Sequence, residues 1–223
     1  MARVVGAASV PKKTGLVTND TMIRQVIRAR LAVAHQGEDA VIVDELKVSR
    51  GSSRIDVAVI NGRIEGYEIK SDKDTLDRLP RQAAMFGLIA DRMTLVVGER
   101  HLEKAKLIVP DWWAIMTPAV SAEGALNIAV VKSGKLNRNR ESKALVEVLE
   151  RDEILAMMSV HGIDKGLRSA TYAELVETSV KRLSREDISA FVKRMVKLRA
   201  TLGVQFADRA FGRTAIICSL PSG

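Results

Sequence analysis

Residues 54–70, RIDVAVINGRIEGYEIK, decide how this chain is read. Two runs rich in β-branched residues flank Asn61-Gly62, which is the signature of a β-hairpin. Strand side chains alternate faces with a period of two. Glu68 and Lys70 therefore share one face, and Tyr67 and Ile69 share the other. Where Asp56 falls depends on the turn. A two-residue Asn-Gly loop pairs Ile60 with Arg63 and puts Asp56 on the face opposite Glu68. A three-residue loop with Gly62 in the left-handed conformation puts Asp56 on the Glu68 and Lys70 side. The second register groups Ile55, Val57 and Val59 with Tyr67 and Ile69. The first lays two charges among valines, at a cost of several kcal/mol for unpaired burial. The three-residue loop is the expected one. It brings two acids and a lysine together, a set suited to a hard divalent cation and to phosphodiester chemistry.

Outward from the hairpin, the pattern is α/β. Residues 1–17 read as a mobile leader. Asn19 or Asp20 can cap a helix running to about Gln36, with Met22, Ile23, Val26, Ile27, Leu31 and Val33 as its buried stripe and Arg24 and Arg28 on an exposed face. AVIVDELKV (40–48) reads as a strand and RGSS (50–53) as its turn. If Arg50 and Gly51 form a two-residue turn, Glu45 pairs with Asp56; with a three-residue loop, Asp44 takes that side. After Lys70, residues 71–91 begin with capping-type acids and continue as a helix with Leu76, Leu79, Ala83, Phe86 and Ile89 or Ala90 buried, Pro80 lying near its start. MTLVVG is a buried strand parallel to the one before the helix. HLEKAKLIV is a short helix, and WWAIM and ALNIAVVK are two more strands. From Glu141 the pattern is helical: one helix from ESKALVEV to MMSVHG, a second over TYAELVETSVKRL, and a third that opens with a Ser184/Asp187 capping box and buries Ile188, Phe191, Val192, Met195 and Leu198.

These elements resemble the PD-(D/E)XK nuclease superfamily, whose motif is an acid on one strand and acid-X-lysine on the next. Asp56, Glu68, Ile69 and Lys70 carry the resemblance. Ile55 stands where the superfamily's name has proline. The run from Asp44-Glu45-Leu46 through the hairpin to LVVGERHLEKA is similar to a small bacterial branch of that superfamily, over roughly residues 20–117. The resemblance implies a restriction-endonuclease-like α/β core over residues 18–135: a helix, a three-stranded antiparallel meander, a crossover helix and a parallel strand. A C-terminal helical region, 136–223, follows. It also implies Glu45 as an upstream acid, with Asp44 and Glu38 as fallbacks, and Gln82 as a polar partner from the crossover helix. The expected cofactor is Mg2+ or Mn2+, held by Asp56, Glu68, Glu45 and the Ile69 carbonyl. The implied activity is metal-dependent phosphodiester hydrolysis, most often DNA endonuclease action in repair, mobile-element or defence processes. The competing expectation is a nucleic-acid-binding accessory protein, or a partner-binding module, with a nuclease-like fold and no catalysis. The sequence mark of the accessory reading is loss of Asp56, Glu68 or Lys70, and all three are present.

Composition narrows the partners. The chain has 223 residues, is 47% apolar and carries a formal charge of +8, with a pI near 9.8. An acidic polymer is the natural partner, DNA with RNA left open. Lys73 and Arg81 near the motif, and Lys132, Lys135, Arg138 and Arg140 in KSGKLNRNRESK, are the expected phosphate contacts, the latter run reading otherwise as a solvated linker. Basic residues Lys193, Arg194, Lys197 and Arg199 on the last helix suggest a DNA reader or an ordinary solvated face. The C-terminal helices are also the expected surface for a homodimer or larger assembly. Trp112 and Trp113 read as core residues rather than base-stacking platforms, and His101 as a helix-terminal polar residue. No run reaches the length of a membrane span, and the single cysteine, Cys218, cannot form an internal disulfide, so a cytosolic protein is expected.

Overall fold

A computed structural model of the chain describes residues 17–120 and 125–202. The leader up to residue 16 and Cys218 lie outside the described residues. Helix α1 (Asp20–Ala34) is followed by the strands β1 (Val41–Val48), β2 (Ser53–Ile60) and β3 (Ile64–Lys70). Helix α2 (Leu79–Gly87) leads to β4 (Arg92–Val97), and α3 (Leu102–Ile108) leads to β5 (Ala114–Val120) and β6 (Leu126–Lys132). Helices α4 (Ser142–Val146), α5 (Arg151–Val160), α6 (Tyr172–Arg182) and α7 (Arg185–Leu202) complete the described chain. The fold is mixed α/β, built on one six-stranded sheet in sequential order. The pairs β1–β2, β2–β3 and β5–β6 are antiparallel; β3–β4 and β4–β5 are parallel. Each parallel pair is joined by a helix, as parallel pairing requires a crossover.

The hairpin register is the expected one. Ile60 pairs with Ile64 and Val57 with Tyr67, which leaves the three-residue loop 61–63 with Gly62 at φ +67°. Apolar side chains split over two faces. On one, Ile23, Ile27 and Leu31 of α1 cover Val57, Val59, Ile69, Val96 and Ile128. On the other, a larger core joins Ile55, Ala58, Ile60, Phe86, Leu95 and Trp113 to Leu145, Met157, Val176, Ile188 and Val192. The C-terminal helices therefore share the core of the sheet; packing shows no gap at residue 135.

Several local expectations need correction. Ile55 lies in the larger core, opposite Val57 and Val59, because the alternation resets at Asp56. Val33 is 74% exposed, since it falls off the Ile23/Ile27/Leu31 stripe as α1 ends. The crossover helix starts at Leu79, with Pro80 in its first turn. Residues 71–78 instead make a turn in which Asp74 accepts from Ser71 N and Oγ. The helix expected from Glu141 is two, α4 and α5, because the Glu153 side chain turns back to take the Glu150 N–H at 2.8 Å and starts a new helix. The Asn19 cap on Met22 N, the Ser184/Asp187 capping pair and the buried Trp113 agree with the sequence. His101 stands between α3 and the 71–78 turn, its Nε2 2.8 Å from the Asp74 carbonyl.

Candidate active site

The site forms where β2 and β3 part. Their ladder runs as far as Val57↔Tyr67, and one further rung would set Asp56 opposite Glu68. There the side chain replaces the ladder: Asp56 Oδ2 accepts the Ile69 N–H at 2.6 Å. The N–H and C=O of one strand residue point to the same neighbour, so the Ile69 carbonyl faces the same gap. On the β1 side, Leu46↔Ile55 and Asp44↔Val57 bracket Glu45 and Asp56. Glu45 has φ +53°, the left-handed region that a residue with a Cβ enters only at a cost. This twist lets Val43 and Leu46 both serve the larger core. Glu45 is freed from the face that strict alternation would give it and reaches Arg24 Nη2 with Oε1 at 3.2 Å. Of the acids considered upstream, Glu45 is therefore the one beside Asp56. Asp44 pairs with Arg28 at 2.6 Å, and Glu38 with His35 and Asn61.

Glu68 is fully buried and Lys70 Nζ lies 2.5 Å from its Oε1. Its Oε2 has no hydrogen-bond partner, and neither does the buried Oε1 of Gln82. Burial, then the negative charge of Asp56, pushes the Glu68 carboxyl up to about 8 against the opposing pull of Lys70 and Gln82. Asp56 is also held above the usual carboxylate range, burial outweighing the Ile69 N–H, Lys70 and Arg24. Burial is the first cause for both acids, and two adjacent carboxyls that resist ionisation although Arg24 and Lys70 stand beside them are an arrangement more frequent at sites than in ordinary surface pairs. The donors present are hard oxygens, two of them orphaned, which fits Mg2+ or Mn2+. Among the described residues no three acidic, histidine or cysteine side chains form a preassembled metal cluster; the set here is two carboxylates, an amide oxygen and a main-chain carbonyl.

Arg24 is the participant that sequence reading missed. Expected on an exposed face, it points its guanidinium at the Asp56 carbonyl (2.7 Å), Asp56 Oδ1 (3.3 Å), Glu45 and Asp20. The available signal was its place on α1, directly beside the buried Ile23 and one turn after the acid at 20.

The loops that flank the site are cross-tied. Gly98 N donates to the Lys70 carbonyl at 2.7 Å. Asp72 accepts from Thr18 N and Oγ1 and from Arg100 N, which draws its carboxyl below the usual range against the penalty of burial. A Cβ at Gly98 would stand 2.4 Å from Asp72 Oδ1, so only glycine closes this junction. Lys73 and Arg81 are exposed at this end. The basic run 132–143 leads away from it. Lys132 pairs with Ile115, which lies level with Leu95 and Glu68, three strands across the sheet from the site; Lys135 N bonds to Trp112 and Asn137 N to Asp91, which sits at the far end of β3 beside Ile64. That end is a strand length, roughly 20 Å, from Lys70. The segment is also no free linker, since Asn137 is buried with its side chain on the Gly87 and Ala90 carbonyls. Arg140 is withdrawn as a phosphate contact: it is committed to buried Asp91 at 3.0 Å and to Ser189. On α7, Lys193 and Lys197 bind the Gly62 carbonyl and Asp39, and Arg199 binds buried Glu153; of that basic set Arg194 alone faces outward, over Phe191.

No described helix is long and apolar enough to cross a membrane. The model of the family described as bacteriophage P4 protein cII matches residues 18–210. Protein cII of Enterobacteria phage P4 is 25% identical over 162 residues, which are 72% of this chain and 60% of that protein. The chain thus spans about 60% of the length of this curated relative. No solved structure matches. With the match running through the sheet, the acid–lysine cluster and all seven α-helices of the described residues, the chain belongs to the bacteriophage P4 protein cII family.

Proposed function

We propose that the protein is a divalent-metal-dependent nuclease with a PD-(D/E)XK-type core, acting on DNA. One observation carries the reading: Asp56, Glu68, Lys70 and Gln82 meet where β2 and β3 part, and the meeting leaves buried acceptor oxygens without donors. Single buried atoms are left unpartnered elsewhere in the described fold, at Trp113, Thr117 and Arg140; here two acceptor oxygens are left so beside a second acid, each at a cost of about 1–3 kcal/mol.

Asp56, Glu68 and the Ile69 carbonyl would hold Mg2+ or Mn2+, with Glu45 completing or orienting the shell. Bound there, the ion supplies Lewis-acid activation of the phosphodiester and neutralises charge on it. Lys70 is held beside Glu68, where its ammonium can orient the attacking water and offset charge gathering on the phosphoryl oxygens, and where the neutral amine, once its own proton has passed to solvent, can take the proton of that water. Gln82 orients Glu68 from α2. Burial keeps the pair in a low-dielectric setting, which strengthens both effects. Lys73 and Arg81 give the site's rim its phosphate contacts.

The accessory reading draws on one feature. Arg24 and Lys70 already serve as counter-ions to the acids, so a metal-free binding domain is also self-consistent. Digestion of supercoiled plasmid and single-stranded DNA with Mg2+, Mn2+ or EDTA separates the two. The expected result is metal-dependent nicking or cleavage that Asp56→Ala, Glu68→Ala and Lys70→Ala each reduce by at least about a hundredfold with folding preserved. Equal cleavage by Glu68→Ala would remove the mechanism. DNA binding by every variant without cleavage by any would establish the accessory function.

A further inference from the structure

Arg24 makes an unusual number of commitments for one side chain. Its Nη1 donates to the Asp56 carbonyl at 2.7 Å, and its Nη2 lies 3.3 Å from Asp56 Oδ1 and 3.2 Å from Glu45 Oε1. Its Nε lies 3.3 Å from Asp20 Oδ1. Three carboxylates from a helix and two strands thus converge on one guanidinium whose side chain is 22% exposed. Without that charge, Glu45, Asp56 and Asp20 would lose the one cation among the described residues that contacts all three. Arginine suits this place because its planar fork reaches several acceptors at once and keeps its proton at any working pH.

The arrangement is selective about which acids it satisfies. Arg24 contacts Asp56 and Glu45, while the ion pair of Glu68 is with Lys70, whose charge also reaches Asp56. The helix that carries Arg24 is held from two points: Arg28 pairs with Asp44 of β1, and Thr18, just before the helix, is bound to Asp72 beside the site. The guanidinium is therefore positioned by its helix and does not wander in from solvent.

We infer that Arg24 is a built-in counter-cation that competes with the divalent ion for Asp56 and Glu45, and so sets the metal concentration at which the site loads. This rests on the nuclease reading above and adds to it a positioning residue outside the acid–lysine motif. A divalent ion brings two positive charges to oxygens that Arg24 serves with a share of one. Loading then requires Arg24 to give up Asp56 Oδ1 and Glu45 Oε1, after which its freed N–H groups face the same gap as the Ile69 carbonyl and are available to a phosphodiester oxygen.

The competition makes the effect of removing Arg24 opposite in sign to that of removing a structural support. Binding of Mn2+ alone, followed by loss of the free-ion paramagnetic resonance signal, is measured on the full chain as wild type, Arg24→Gln, Arg24→Lys and Glu68→Gln. A unit positive charge at the same oxygens opposes a divalent ion there, so Arg24→Gln is expected to bind Mn2+ at least about tenfold more tightly than wild type. Arg24→Lys, which keeps the charge and loses the fork, is expected to fall between them, and Glu68→Gln to bind far more weakly. Wild-type binding with an unchanged or weakened Arg24→Gln site overturns the role of Arg24 and leaves the nuclease reading standing. No Mn2+ binding by wild type or any variant overturns both. A titration of nitrogen-15-labelled wild type with Mg2+ reports on Arg24 without any substitution. Its side-chain Nε–H resonance is expected to shift with the same midpoint as the Ile69 amide, and an Arg24 signal that stays fixed while Ile69 moves also overturns the proposal.

Discussion

The two ends of β3 each bury an acid beside a base, and they treat it in opposite ways. At the start of the strand, Asp91 is 4% exposed and fully served: Oδ2 accepts the Ile64 N–H at 2.8 Å, Oδ1 meets Arg140 at 3.0 Å, and its carbonyl takes Asn137 N. At the far end, Glu68 is more deeply buried yet keeps one oxygen without a donor, beside a second acid and an orphaned amide oxygen. The backbone follows the same division. Asp91 closes a continuous parallel ladder, whereas at Asp56 the ladder yields to a side chain and Glu45 turns left-handed. Burial of an acid is thus no sign of chemistry by itself. Both pairs leave a buried polar atom unpartnered, Arg140 Nε at one end and Glu68 Oε2 with Gln82 Oε1 at the other; what distinguishes the candidate site is that its unpartnered atoms are acceptor oxygens beside a second acid, which the rest of the fold must offset.

Substitutions at the two ends should therefore separate activity from stability. The largest expected effect is on turnover. Asp56→Ala or Glu68→Ala should lower metal-dependent DNA cleavage by about a hundredfold or more, while Arg140→Met leaves cleavage per folded molecule near wild type. Stability should show the reverse order. Breaking the buried Asp91–Arg140 pair should cost about 3–5 kcal/mol in urea unfolding, whereas Glu68→Gln in EDTA should cost little or stabilise.

The pH dependence sharpens the contrast. Glu68 in the folded, metal-free protein titrates near 8, against an ordinary value of 4.5. Between those values the folded state retains a proton that the unfolded state has lost, so stability must fall as pH rises, by roughly 1.4 kcal/mol per unit at the steepest. Thermal melts in EDTA across that window should slope downward for wild type and flatten in Glu68→Gln. Saturating Mg2+ should flatten the wild-type slope as well, because it favours the ionised carboxylate.

The smallest expected effect concerns the surface. Lys73→Glu with Arg81→Glu, at the site's end, should weaken DNA binding and lower its salt dependence by about two counter-ions. Lys135→Glu with Arg138→Glu, at the other end, should do markedly less in the same filter-binding titration.

Much of the candidate site was legible in residues 54–70. The grouping of apolar side chains selected the three-residue loop, and that register brought Asp56 to Glu68 and Lys70. Across the 49–52 turn parity left Glu45 and Asp44 both open and the resemblance favoured Glu45; Val48 pairs with Ser53, the register that sets Glu45 beside Asp56. Three features were not legible, for separate physical reasons. Ile55 lies on the other face because the alternation of β2 resets at Asp56, next to the left-handed Glu45 of β1, and a period-two rule cannot register such a break. Arg24 and Arg140 are cations paired across at least 32 residues of chain; helical spacing shows which side they occupy but not the acids that await them. The run 132–143 has a linker's composition, yet Asn137 binds two carbonyls at the end of α2, a contact only tertiary structure reveals.

The most direct test is the position of a bound ion. Crystals of the protein with a short DNA duplex, soaked in Mn2+ and measured at the manganese absorption edge, should show an anomalous peak within bonding distance of the Asp56 and Glu68 carboxylates, with Arg24 turned away from Asp56 Oδ1. A peak elsewhere, or DNA seated over this end of the sheet with Arg24 still clasping Asp56 and no manganese between the acids, would contradict the account.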